Sequence, residues 1–190
     1  MLADPYLWPG AMARLACHGR FLDVPTRKRL GLGLDDVAIA AAYYAAPTVE
    51  PGTFIGVSLL GLVPKILAGA WVKALTLKML RARRLRGVAQ WASPALRVHT
   101  RMGPLRVVSS VPGTHEFRAK SFVYESDLTD SAAWNGAMAR RSSGSPSEKI
   151  PASDTERLGA LCARAEAGER IVVVPPGLDA GGNVLVRYSD

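Results

Sequence analysis

The chain has 190 residues, and its apolar and charged fractions of 48% and 21% exclude wholesale disorder and allow one substantial domain. Its net charge of +8 at pH 7 favours an anionic partner, and two distant cysteines, Cys17 and Cys162, do not suggest a disulfide framework. The opening residues lack the basic and apolar regions of a secretory signal, so we expect a cytoplasmic protein or one on the cytoplasmic face of a membrane.

The first half of the chain is predicted to be helical and apolar. Residues 1–34 are expected to form short helices and loops. Asp35 and Asp36 then precede the run VAIAAAYYAA, and carboxylates favour the positive end of a helix dipole. Because proline cannot continue a helix, this predicted helix ends at Pro47.

Residues 53–80 form the longest apolar stretch of the sequence. Pro64 is expected to divide it into an approach segment and a helix over about residues 65–86. The large apolar residues of that helix point in most directions around its axis, which is typical of a helix buried in a core or immersed in lipid. Lys65 and Pro64 weigh against a full membrane span.

The second half of the chain changes to an alternating pattern that is typical of strands. We predict an antiparallel meander over about residues 95–125, built from 96–102, 105–109 and 117–120. In this arrangement Arg97, His99 and Arg101 share one strand face, and Arg118 and Lys120 extend it on a neighbouring strand.

A C-terminal helix followed by a β-hairpin completes the predicted α+β fold. Ser153 and Glu156 form a capping box, and Leu158, Leu161 and Cys162 make an apolar stripe ahead of a stop at Gly168. The predicted organisation is a main domain over residues 1–136, a Ser/Pro-rich linker over 137–153, and a helix–hairpin segment over 154–190 that packs on the main domain.

The most informative feature is the absence of any acidic residue between Glu50 and Glu116, a stretch that carries ten Lys and Arg residues. This charge must be met by counterions, by another part of the chain or by an anionic partner. A basic cluster over residues 77–86 directly follows the apolar stretch. The predicted lipid- or phosphate-binding residues are Lys73, Lys78, Arg81, Arg83, Arg84, Arg86, Arg97, Arg101, Arg118 and Lys120.

The favoured interpretation is a non-enzymatic protein that associates with an anionic membrane surface through residues 53–80 and the basic cluster. The first alternative is a cytoplasmic nucleic-acid-binding protein that uses the same cations on phosphates. The second is a small-molecule enzyme in which the apolar helix belongs to the core.

No catalytic, metal or cofactor signature stands out in the sequence. The cysteines and histidines lack the close spacing of zinc ligands, and the Gly56–Gly61 run around Ser58 is one residue too long for a nucleophile elbow. Glu125, Asp127 and Asp130 could pair with His115 for acid/base work, but nothing in the sequence defines their geometry. We therefore predict no catalytic residue, no metal and no cofactor.

Overall fold

A nine-stranded mixed sheet dominates the computed structural model, which describes residues 11–61, 68–111, 120–129 and 145–189. The strands are β1 (Ala11–His18), β2 (Val37–Pro47), β3 (Thr53–Gly61), β4 (Arg84–Gln90), β5 (Leu105–Ser110), β6 (Ser121–Asp127), β7 (Glu148–Pro151), β8 (Arg170–Leu178) and β9 (Asn183–Ser189). The α-helices of the same ranges are α1 (Val24–Leu30), α2 (Ala68–Met79), α3 (Ala95–His99) and α4 (Thr155–Glu166).

The strands lie in the order β1-β2-β3-β4-β6-β5-β8-β9-β7. The β3–β4 pair is parallel, and the crossover that parallel strands require runs through α2. The other pairs are antiparallel. Helix α2 packs on β1, β2 and β3, so the crossover helix covers the first part of the sheet.

The predicted helical N-terminal half is wrong, because β1, β2 and β3 are strands of the sheet. The run predicted as a helix is β2, in which Ala41, Tyr43 and Ala45 point into the core at alternating positions. Asp35 and Asp36 serve the preceding turn instead of a helix start. Asp35 pairs with Arg20, and Asp36 accepts a hydrogen bond from the Gly33 backbone at 2.7 Å.

The predicted helix over residues 65–86 is also wrong in extent, because α2 ends at Met79 and β4 begins at Arg84. Two backbone hydrogen bonds end the helix. The Ala82 N–H donates to the Leu77 carbonyl, and the Arg81 N–H donates to the Lys78 carbonyl. Arg81 occupies the left-handed position of this turn, with φ of 51°. A helix stop of this kind usually has glycine, which is why the sequence did not reveal it.

The predicted meander is correct only in part. Residues 96–102 form α3 and a following 3-10 turn, because Pro94 and the Ser93 side chain start a helix whose inner side carries Leu96 and Thr100. Arg97, His99 and Arg101 therefore do not share a strand face. Residues 105–110 are β5, antiparallel to β6, and 117–119 lie outside the described residues.

The C-terminal helix and hairpin are confirmed. Helix α4 buries Leu158, Leu161 and Cys162, although its N-terminal cap is Asp154 and not Ser153. Strands β8 and β9 form the antiparallel hairpin. The range predicted as a linker contains β7, which pairs with β9 at the edge of the sheet.

None of the helices in the described part of the chain combines the length and apolar character needed to cross a membrane. Helix α2, which lies in the most apolar stretch, has 12 residues, whereas a span needs about 20.

Candidate functional site

Helix α2 has two chemically different sides, and each forms a candidate site. Its inner side faces the sheet and carries Lys73, which is 1% exposed. Its outer side carries Trp71, Leu75 and Met79, which are 41%, 46% and 81% exposed. These large residues recur every four positions, so they form one stripe along the helix.

The inner site is a buried cluster of polar side chains around Lys73. The Lys73 amine lies 2.9 Å from Nδ1 of His99, and the Tyr124 hydroxyl lies 3.1 Å from the same nitrogen. Burial lowers the pKa of Lys73 to about 7. Burial, with a smaller contribution from the charge of Lys73, lowers the pKa of His99 to about 2.

Two glycines make room for the tyrosines of this cluster. Gly56 and Gly87 are direct neighbours across the β3–β4 pair. A Cβ atom at Gly56 would lie 2.8 Å from the Tyr43 hydroxyl, and one at Gly87 would lie 2.7 Å from the Tyr124 hydroxyl. The two hydroxyls therefore rest above adjacent glycines, and burial raises the pKa of both tyrosines.

The outer site joins the apolar stripe of α2 to three cations. Lys78 is exposed within the stripe, and Arg81 and Arg83 follow at the end of the helix. None of the three has an ion-pair partner among the described residues. Arg81 and Arg83 also flank a shallow depression of about 370 Å³ that includes Phe54 and Leu80.

Other arginines of the acid-free stretch are neutralised by carboxylates from outside it. Glu125 of β6 lies between Arg86 of β4 and Arg106 of β5. Its Oε2 is 2.9 Å from Nε of Arg86, and its Oε1 is 2.7 Å from Nη2 of Arg106. Glu50 pairs with Arg84 at 3.7 Å and with Arg86 at 3.3 Å. Burial alone would raise the pKa of Glu125, but the hydrogen bonds from the two arginines outweigh it and lower the pKa.

The remaining predicted residues are dispersed. Arg97 donates hydrogen bonds to the backbone carbonyls of Leu178 and Asp179, and Arg101 is half-buried after α3. Lys120 is exposed before β6, and Arg118 lies outside the described residues. The structure therefore brings together Lys78, Arg81 and Arg83 and places Lys73 in the interior.

A second open cleft, of about 640 Å³, lies beside β4, β5, β8 and the end of α4. Arg84, Arg106, Arg170 and Arg187 line it together with Glu125, Asp127 and Glu169. This mixture of charges does not select an anion, so the cleft is a weaker candidate than either side of α2.

Sequence reasoning missed the inner site because its members come from four separate elements. The available signal was Lys73 itself, a cation in the middle of the apolar run between Val72 and Ala74. A lysine placed inside an apolar helix face is rarely fully buried without a partner.

Comparisons with models of known protein families, with curated proteins and with solved structures found no match.

Proposed function

We propose that the protein associates with anionic membrane surfaces through the outer side of α2 and the turn that follows it. The observation that carries this proposal is an exposed apolar stripe, made of Trp71, Leu75 and Met79, on the helix that carries Lys78 and leads directly into Arg81 and Arg83, three exposed cations without an ion-pair partner among the described residues. Such a surface inserts apolar side chains at the lipid boundary while its cations hold acidic head groups.

A lipid occupant fits this surface better than a second copy of the chain. A symmetric dimer through α2 would place Lys78, Arg81 and Arg83 of one protomer near those of the other, with no acidic residue of residues 51–115 to separate them. Acidic head groups provide the opposite charge instead, at about 1 kcal/mol for each Lys or Arg near the surface. The proposal places the protein on the cytoplasmic leaflet, where anionic lipids are found.

Nucleic acid is the alternative anionic partner for the same cations. Phosphate contacts make use of Lys78, Arg81 and Arg83 but give no role to the adjacent apolar stripe. The stripe therefore favours lipid over nucleic acid, and the experiments below distinguish the two partners.

Charge reversal at the outer site is expected to abolish vesicle binding. Flotation of the Lys78→Glu/Arg81→Glu variant with vesicles of phosphatidylcholine and phosphatidylserine should show at least a ~10-fold loss of partitioning, because two attractive charges become repulsive. The matched control is Arg170→Glu/Arg187→Glu, which changes the net charge equally but alters side chains of β8 and β9 that line the second cleft.

The proposal would be contradicted if both variants lost vesicle binding equally. It would also be contradicted if the wild-type protein bound pure phosphatidylcholine vesicles as well as vesicles that contain phosphatidylserine. A salt series with a DNA duplex is run in parallel. Binding to DNA with a steep log–log salt slope, in a protein that does not float with acidic vesicles, would favour the nucleic-acid alternative.

Arg81→Gly is expected to stabilise the fold while weakening vesicle binding. Arg81 has a left-handed backbone, φ of 51°, which costs an L-residue about 1–2 kcal/mol, whereas glycine adopts it freely but loses about 0.5–1 kcal/mol more in backbone entropy on folding. We expect a net gain of about 0.5–1 kcal/mol in the free energy of unfolding in urea, and a loss of about 1 kcal/mol in vesicle partitioning. Arg83→Gly removes the same charge without relieving such strain, so a stability gain in both variants would refute the explanation.

A further inference from the structure

A row of side chains on one face of the sheet runs through the second cleft and orders its charges. The row begins with Arg86 of β4, Glu125 of β6 and Arg106 of β5, which are direct neighbours in the strand register. It continues through Val172 of β8 to Arg187 of β9. Residues that pair directly across strands share a face, with Cβ atoms about 5 Å apart. Counted together, the charges of this cleft do not select an anion, but their positions along the row differ.

The carboxylates described in the cleft, Glu125, Asp127 and Glu169, each have an arginine beside them. Glu125 pairs with the arginines on both of its sides in the row. Glu169 accepts hydrogen bonds from Arg164, one on each of its carboxylate oxygens. Asp127 faces Arg84 directly across the β4–β6 pair. The negative charge of these three side chains is therefore matched within the protein.

Two arginines of the cleft, Arg170 of β8 and Arg187 of β9, have no ion-pair partner in the part of the chain that the structure describes. In the β8–β9 register Arg170 faces Ser189, and Arg187 faces Val172. The two arginines are therefore diagonal neighbours on one face, about 7–8 Å apart, a distance that long side chains can span. The unmatched positive charge of the described cleft lies at this β8–β9 end.

The cleft also offers apolar surface to a ligand. Val172 lies beside the β9 arginine and belongs with Val174 and Leu185 to a small buried cluster that is separate from the main core. Pro104 and Ala165 add apolar lining. The cleft volume of about 640 Å³ lies within the range of about 300–1,000 Å³ that is typical of sites for small organic ligands. A ligand that fills this cleft therefore combines an anionic group with an apolar part.

We propose that the second cleft binds a small organic phosphate, with the phosphate group held between Arg170 and Arg187. A phosphate ester carries a charge of about −1.5 to −2 at pH 7 and three acceptor oxygens, which two guanidinium forks can share. Ser189, directly opposite Arg170, adds a hydroxyl at the same end. The organic part of the ligand lies along Val172 and Pro104. This proposal is independent of the lipid proposal, because the described lining of the cleft includes no side chain of α2.

Calorimetric titration of the full chain with phenyl phosphate, at pH 7 and low salt, tests the proposal. We expect saturable one-to-one binding, and at least ~10-fold lower affinity for benzoate, which has one charge and two oxygens. Arg170→Gln/Arg187→Gln should lower the affinity for phenyl phosphate at least ~10-fold, because both guanidinium contacts to the phosphate are lost. The matched control, Lys78→Gln/Arg81→Gln, removes the same charge from the outer site and should bind phenyl phosphate as the wild type does.

A variant that conserves charge separates phosphate recognition from simple attraction. Arg170→Lys/Arg187→Lys keeps both positive charges without the planar forks, so its affinity for phenyl phosphate should fall several-fold. The proposal is overturned if the wild-type protein does not bind phenyl phosphate, or if this lysine variant binds it as tightly as the wild type. It is also overturned if the Lys78/Arg81 control loses as much affinity as the Arg170/Arg187 glutamine variant. Vesicle flotation reports on α2 instead, so failure of the lipid proposal is distinguished from failure of this one.

Discussion

Gly87→Val is expected to lower the free energy of unfolding by about 3 kcal/mol. A Cβ atom at this position would meet the Tyr124 side chain at 2.7 Å, 2.8 Å and 2.9 Å, on its hydroxyl, Cζ and Cε1 atoms. Tyr124 cannot move away easily, because it is 1% exposed and its hydroxyl contacts His99. Urea unfolding followed by circular dichroism measures the change.

Gly159→Ala is the matched control for this prediction. Gly159 lies within α4, and a Cβ atom there would have no heavy atom within 4 Å. Alanine is the better helix former by about 1 kcal/mol, so this variant should be slightly more stable than the wild type. A Gly87→Val protein as stable as the wild type would mean that Tyr124 does not pack against Gly87 of β4. The arrangement of Tyr124 and His99 described for the inner site would then be wrong.

The charge pattern of the sequence showed that the cations of the acid-free stretch need partners, but not which cations would find one within the chain. The acid-free stretch required a partner for its cations, and the structure places Glu50 and Glu125 beside Arg84 and Arg86. Lys78 and Arg81 are left without such partners among the described residues. Which arginines would be neutralised depended on cross-strand register, and register is not visible in a charge count.

The secondary structure of the first half could not be predicted because two physical preferences conflict there. The alanines of β2 favour a helix, whereas Val37, Ile39, Tyr43 and Tyr44 favour a strand. Packing against α2 decides the outcome, since small alanines allow the helix to approach the sheet. Tertiary contacts of this kind override local propensity. In contrast, α4 repeats its buried residues at helical spacing and was predicted correctly.

The apolar character of α2 has a structural explanation that covers both of its sides. Its inner residues, among them Val72 and Leu77, pack into the core, while Trp71 and Met79 remain on the surface. A single helix thereby closes the Lys73 cluster on one side and presents an exposed apolar stripe on the other. Disruption of the outer stripe should leave the lowered pKa of Lys73 intact, since the two sets of side chains share only the helix backbone.

Lys73→Met is expected to raise the free energy of unfolding by about 3 kcal/mol at pH 7. Methionine fills a similar volume without a charge to desolvate, and its cost is the hydrogen bond to His99. The pKa of Lys73 is lowered to about 7 in the folded chain, below its ordinary value of 10.5. Between these two pH values the unfolded chain holds a proton that the folded chain lacks, so wild-type stability rises with pH through this window.

The difference in the free energy of unfolding between Lys73→Met and the wild type should therefore be largest at pH 7 and below. It should shrink as the pH approaches 10.5. Titration of His99, Tyr43 and Tyr124 also alters stability, but these groups are present in both proteins and largely cancel in the difference. Urea unfolding from pH 6 to pH 10 measures it, with Lys78→Met as the exposed control whose difference should be flat. A pH-independent difference for Lys73→Met would show that burial does not lower the pKa of this amine.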